Sequence, residues 1–161
     1  MSNLGATSVA AQGAALNAGK GIGDARVRRG ASWFYWIAGL SVVNSIIVLS
    51  GSNVHFLVGL GVTEAFDAAG KQAAGVGSGV ALAVSLVAAG VFAMFGYFGR
   101  KVQLWAFVVG GVLYLLDAGI LVAFADYFGA AFHAYVLYRL YLGLAAAKNV
   151  AAVRPASAPL G

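Results

Sequence analysis

Four long apolar stretches, bounded by Arg/Lys clusters on one side, constrain this chain more than any other feature. Residues 31–50, 75–98 and 102–125 are almost free of charge, and 129–147 form a fourth stretch interrupted by Arg139. Each covers roughly 30 Å of hydrocarbon at about 1.5 Å per helical residue. Backbone groups in lipid must be satisfied within a helix or a closed barrel. The stretches are continuous rather than alternating with period two, which selects helices. The expected fold is therefore all-α: an antiparallel four-helix transmembrane bundle.

Composition supports the same reading. Of 161 residues, 61% are apolar and 9% charged, where a soluble domain carries about 25% charged residues. So short a chain cannot hide that much apolar surface in a water-soluble core. The net charge of +5 does not indicate a nucleic-acid partner, because the basic residues flank the spans instead of covering a soluble face. Cysteine is absent, which excludes disulfides and thiolate chemistry.

Residues 1–25 read as a flexible N-terminal leader without a cleavable signal, and 148–161 as a short tail, leaving 26–147 as the membrane domain. Arg28-Arg29 stands before an apolar run, as in twin-arginine signals, but that run has full spanning length. GAALNAGK (13–20) is not a P-loop: the glycine spacing is wrong and no strand precedes it. Residues 54–70 are too short to cross and carry Glu64 and Asp67 one helical turn apart, so they are expected to form an outer interfacial amphipathic helix.

Orientation follows from the basic residues. Lys20, Arg26, Arg28, Arg29, Arg100, Lys101, Lys148 and Arg154 fall on one side of a four-span arrangement, and Lys71 on the other. Trp33, Phe34, Tyr35 and Trp36 lie just inside the first basic cluster, as expected at a headgroup boundary. The positive-inside rule then predicts cytoplasmic termini. GASWFYWIAGLSVVN (30–44), with the later FLVGLGVTEAFDA, resembles a recurring type of small bacterial four-span integral membrane protein without an assigned activity. The resemblance covers most of residues 30–140. It implies a multi-pass protein of the bacterial cytoplasmic (inner) membrane and transfers no reaction, ligand or site.

Several residues invite chemical readings. Asp117 and Arg139 lie inside adjacent spans, where each isolated charge costs roughly 2.5–3.5 kcal/mol, so they are expected to pair. His55, Glu64, Asp67 and His133 are expected near the outer surface as a polar cluster. Their spacing is too loose to specify a metal site, and His55 is too near a loop to serve with His133 as a haem ligand. Ser78 and His133 are the residue types of the rhomboid protease dyad, but Val76-Gly77-Ser78-Gly79 lacks the first glycine of G-x-S-G. Tyr135, Tyr138 and Tyr141 are better suited to helix packing than to a pigment or quinone groove.

Two small-residue stripes run along the second span: Gly75, Gly79 and Ala83, and Ala81, Ser85, Ala89 and Ala93. In lipid such stripes let helix backbones approach closely; the first is the expected helix-packing face. No long catalytic loop and no inverted half is evident. The functional expectation is a non-enzymatic accessory, assembly or scaffold protein without a cofactor, contacting the lipid bilayer and other membrane subunits or copies of itself. A small oligomeric transporter or channel using Asp117 and Arg139 is the alternative.

Overall fold

A computed structural model describes residues 3–50 and 76–156. The described residues form four helices and no strand: α1 (Asn3–Leu49), α2 (Val76–Arg100), α3 (Leu104–Ala123) and α4 (Tyr127–Ala156). All four are long and apolar enough to cross a membrane, as a multi-pass membrane protein requires. The expected interfacial helix at 54–70 lies outside the described residues.

The helices form a ring in chain order. α1 packs on α2 and α4, α3 packs on α4, and the α2–α3 seam is the sparsest. Buried positions recur every three or four residues, the spacing of one helical face. On α1 these include Val27, Phe34, Ser41 and Asn44; on α2, Ser85, Ala89, Phe92 and Phe95; on α3, Phe107, Tyr114 and Asp117; on α4, His133, Val136 and Leu140. Phe34, Phe92, Phe95 and Phe107 meet at the centre, with Phe34 ring centroids 5.8–6.3 Å from the other three. A Cβ at Gly110 would come within 2.6 Å of the Phe34 ring, so that side chain occupies the space the glycine leaves.

Both short connections use the same device. α2 ends with Val102 N–H donating to Gly99 O (3.0 Å) and Gln103 N–H to Phe98 O (3.2 Å). α3 ends with Ala125 N–H donating to Val122 O (3.0 Å) and Asp126 N–H to Leu121 O (2.9 Å). These are Schellman closures, which need a left-handed residue at the turn. Here non-glycine residues supply it, Val102 at φ 63° and Ala125 at φ 60°. The Asp126 carboxylate then accepts the Gly129 N–H at 2.9 Å, capping the start of α4.

Several boundaries differ from expectation. The anticipated flexible leader is helical from Asn3 onward, so α1 runs 47 residues. α4 likewise continues through Ala156 into the expected tail. Beyond the level where α2 ends and α3 begins, α1 and α4 continue as an antiparallel pair. A Cβ at Gly23 would lie 2.8 Å from the Val150 side chain. That pairing reaches Gly23 and Asp24, which are half-buried, whereas residues 14–22 are helical but exposed, so packing accounts for only the last part of the expected leader.

Gly79 and Ala83 do not form the packing face of this bundle. Both are exposed, and a Cβ at Gly79 would meet nothing within 4 Å; Gly75 lies outside the described residues. The other stripe turns inward, with Ser85 and Ala89 buried. The two stripes lie on different sides of one helix, and the aromatic residues Phe92 and Phe95 continue the second of them.

Candidate functional site

The bundle interior divides by chemistry. Its half nearer the basic end is aromatic, whereas the other half is a polar layer. Ser41, Asn44 and Ser45 on α1, Ser85 on α2, Asp117 on α3 and His133 on α4 are all buried. Counting from the aromatic cluster places their levels together. Ser41 and Asn44 lie seven and ten residues past Phe34, Ser85 seven before Phe92, and Asp117 ten past Phe107. Each displacement is roughly 10–15 Å along the bundle.

Asp117 and His133 are the layer's centre. The α3–α4 turn fixes their register, since Asp117 lies six residues before Ala123 and His133 six after Tyr127. Asp117 Oδ2 is 2.9 Å from His133 Nε2, and His133 Nδ1 is 2.9 Å from the Gly129 carbonyl oxygen. The carbonyl can only accept, so Nδ1 carries a proton and donates. One further proton lies between Nε2 and Oδ2, and the pair is electrically neutral whichever atom holds it. Tyr114 stacks on the imidazole with centroids 4.2 Å apart and planes 12° apart. The ring is therefore clamped by a carboxyl, a carbonyl and an aromatic face.

Two nearby polar atoms are less well served. Asn44 Oδ1 and Ser85 Oγ are buried without a hydrogen-bond partner among the described residues. A buried unsatisfied polar atom costs about 1–3 kcal/mol. Together with the Asp117–His133 pair, they give the layer capacity to hydrogen-bond a small polar guest. A groove of about 290 Å³ between α2 and α3, bounded by Ala88, Phe92 and Leu116, reaches Asp117 from the lipid-facing side.

The expected pairing of Asp117 with Arg139 is replaced. His133 takes the position assigned to Arg139, which stands six residues further along α4, a displacement of roughly 9 Å. Arg139 lines a groove between α1 and α4, across the bundle from the α2–α3 groove that reaches Asp117. It donates to Tyr135 Oη at 3.0 Å and lies over the Trp33 ring at 5.3 Å. The apolar stretches 102–125 and 129–147 centre the turn near residue 127. With the turn at 124–126, equal counts on either side bring Asp117 to His133.

His133 also departs from the expected outer-surface cluster, because it is fully buried; His55, Glu64 and Asp67 lie outside the described residues. No cluster of three His, Asp or Glu side chains suitable for a metal occurs among the described residues. Tyr135 packs edge-on against Trp33 of α1, ring centroids 5.4 Å apart, as expected, whereas Tyr138 and Tyr141 face outward, 58–64% exposed. Asn44 and Ser85 were missed as site residues because one Asn or Ser in an apolar helix carries no mark of which way it faces. Comparison with protein-family models, curated proteins and solved structures finds no match.

Proposed function

We propose that this is a non-enzymatic accessory, assembly or scaffold protein of a bacterial cytoplasmic membrane, with both termini inside, acting through helix–helix contacts with other membrane subunits or further copies of itself. The observation that carries this reading is the placement of glycine on the outside of the bundle. Gly79, Ala83 and Gly90 on α2 face outward, and a Cβ at either glycine would meet nothing within 4 Å. Glycine in a helix costs about 1 kcal/mol relative to alanine and offers lipid no packing surface. Its benefit on an outward face comes when another backbone approaches. The interlocked Phe34–Phe92–Phe95–Phe107 cluster closes one half of the interior, which weighs against conduction through a single bundle.

Gly79→Leu and Gly90→Leu test the reading. Each keeps its helix apolar and adds bulk only outside the bundle. The expected outcome is a smaller native mass, or loss of co-purifying membrane subunits, in mild detergent with unchanged thermal stability. An unaltered assembly would sink the proposal. Cysteine labelling at Lys101 and Asp126 checks orientation without background, since the chain has no cysteine of its own.

A small oligomeric transporter is the second reading, favoured by the groove that brings the lipid-facing surface to Asp117. Proton or solute flux in liposomes containing the purified protein, abolished by Asp117→Asn, would support it over an accessory role.

A further inference from the structure

We propose that Arg26, Arg29 and Arg139 form a binding groove for the phosphodiester headgroup of an anionic phospholipid. The groove lies between α1 and α4, has a volume of about 570 Å³, and includes all three guanidinium-bearing residues in its lining along with Asn149. Arg26 and Arg29, three residues apart on a helix, are surface neighbours. Arg139 stands one turn from Gly143 on α4, and Arg29 is adjacent to Gly30 on α1. Gly30 and Gly143 are where the two helices cross most closely, a Cβ at Gly143 coming within 2.8 Å of the Gly30 Cα. The crossing therefore gathers cationic side chains from two helices into one groove.

Charge and position select the occupant. Among the described residues, neither Arg26 nor Arg29 forms an ion pair with a carboxylate. Guanidinium groups present paired N–H donors that match phosphate oxygens. The groove stands at the aromatic and basic end of the bundle. There Arg139 lies over Trp33, Arg100 over Tyr35 at 4.6 Å, and Lys101 over Tyr97 at 4.3 Å. Trp and Tyr concentrate at headgroup level, and basic pockets between membrane helices at that level hold anionic headgroups. Leu142 lines the groove and is 44% exposed, giving an acyl chain an apolar surface directly beside the phosphate position. A soluble phosphate would gain nothing from that wall.

The test uses the delipidated full chain in a non-ionic detergent, titrated with short-chain phosphatidylglycerol and followed by native mass spectrometry. Short-chain phosphatidylcholine and inorganic phosphate are the comparison ligands. Phosphatidylglycerol should bind saturably and in preference to both. At the strength typical of one basic residue near an anionic lipid surface, Arg139→Gln should weaken it about 5-fold and the Arg26→Gln/Arg29→Gln pair about 30-fold. Arg100→Gln/Lys101→Gln removes the same charge from the same end, outside the groove, and should leave binding unchanged. Arg139→Lys, which keeps the charge but loses the paired donors, should weaken binding less than Arg139→Gln but measurably. Equal binding of phosphatidylcholine, or equal loss in the two double variants, would overturn the site. Inorganic phosphate binding as tightly as phosphatidylglycerol would overturn the lipid assignment in favour of a soluble anion.

Discussion

Asp117 Oδ2 and His133 Nε2 stand 2.9 Å apart in the bundle interior, sharing one proton, while the opposite ring nitrogen is tied to the Gly129 carbonyl. This contact links α3 to α4 through two groups that would each be expensive alone in hydrocarbon. It also extends backward through the turn, because Gly129 donates its N–H to Asp126. Capping residue, glycine, imidazole and carboxyl thus form one continuous hydrogen-bonded path.

Removing the imidazole should cost more than neutralising the carboxyl. His133→Leu takes the ring bond from Asp117 and the stacking partner from Tyr114, and should destabilise the bundle by about 2–3 kcal/mol. Asp117→Asn keeps a group able to donate to Nε2 and should cost only about 1 kcal/mol. Denaturant unfolding in detergent measures both. The reverse order would mean that the pair is held as separated charges.

The Gly30–Gly143 crossing should be intolerant of a single methyl group. Gly143→Ala would drive a Cβ against the backbone of α1 and should cost about 2 kcal/mol. Gly111→Ala, where a Cβ meets nothing within 4 Å, should be neutral or stabilising by up to about 1 kcal/mol. Thermal unfolding of the two variants side by side gives the comparison.

Ala125 is exposed and holds a left-handed conformation at φ 60°. Ala125→Gly removes the clash between Cβ and backbone there and should stabilise the α3–α4 hairpin by about 1 kcal/mol. A loss of stability would show that the turn is set by something other than its Schellman closure.

Phe34 and Gly110 should behave as one unit. Phe34→Ala should cost about 3–5 kcal/mol by opening a cavity in the aromatic cluster. Gly110→Ala should also be destabilising, because its Cβ would press on the Phe34 ring at 2.6 Å. In the double variant Phe34→Ala/Gly110→Ala the total loss should fall below the sum of the two single losses, since the smaller side chain makes room for the methyl. Additive losses would separate the two residues.

Four apolar helices, short turns joining the last three, and a gathering of basic and aromatic residues at one end can all be read along the chain. These follow from counting, because hydrocarbon thickness sets a length and unsatisfied backbone groups forbid irregular chain. Which side of each helix turns inward is set by packing between helices. Lipid and protein core are both apolar, so the hydrophobic periodicity that marks the buried face of a soluble helix is weak here. Gly79 and Ala83 read as a packing face just as well as Ser85 and Ala89, yet only the latter are buried. Asp117 had Arg139 as its apparent partner because opposite charge is visible in a sequence, whereas helix register is not. The two residues by which α3 ends early at Ala123 and α4 begins early at Tyr127 set equal counts to Asp117 and His133, and the carboxyl meets an imidazole instead of a guanidinium.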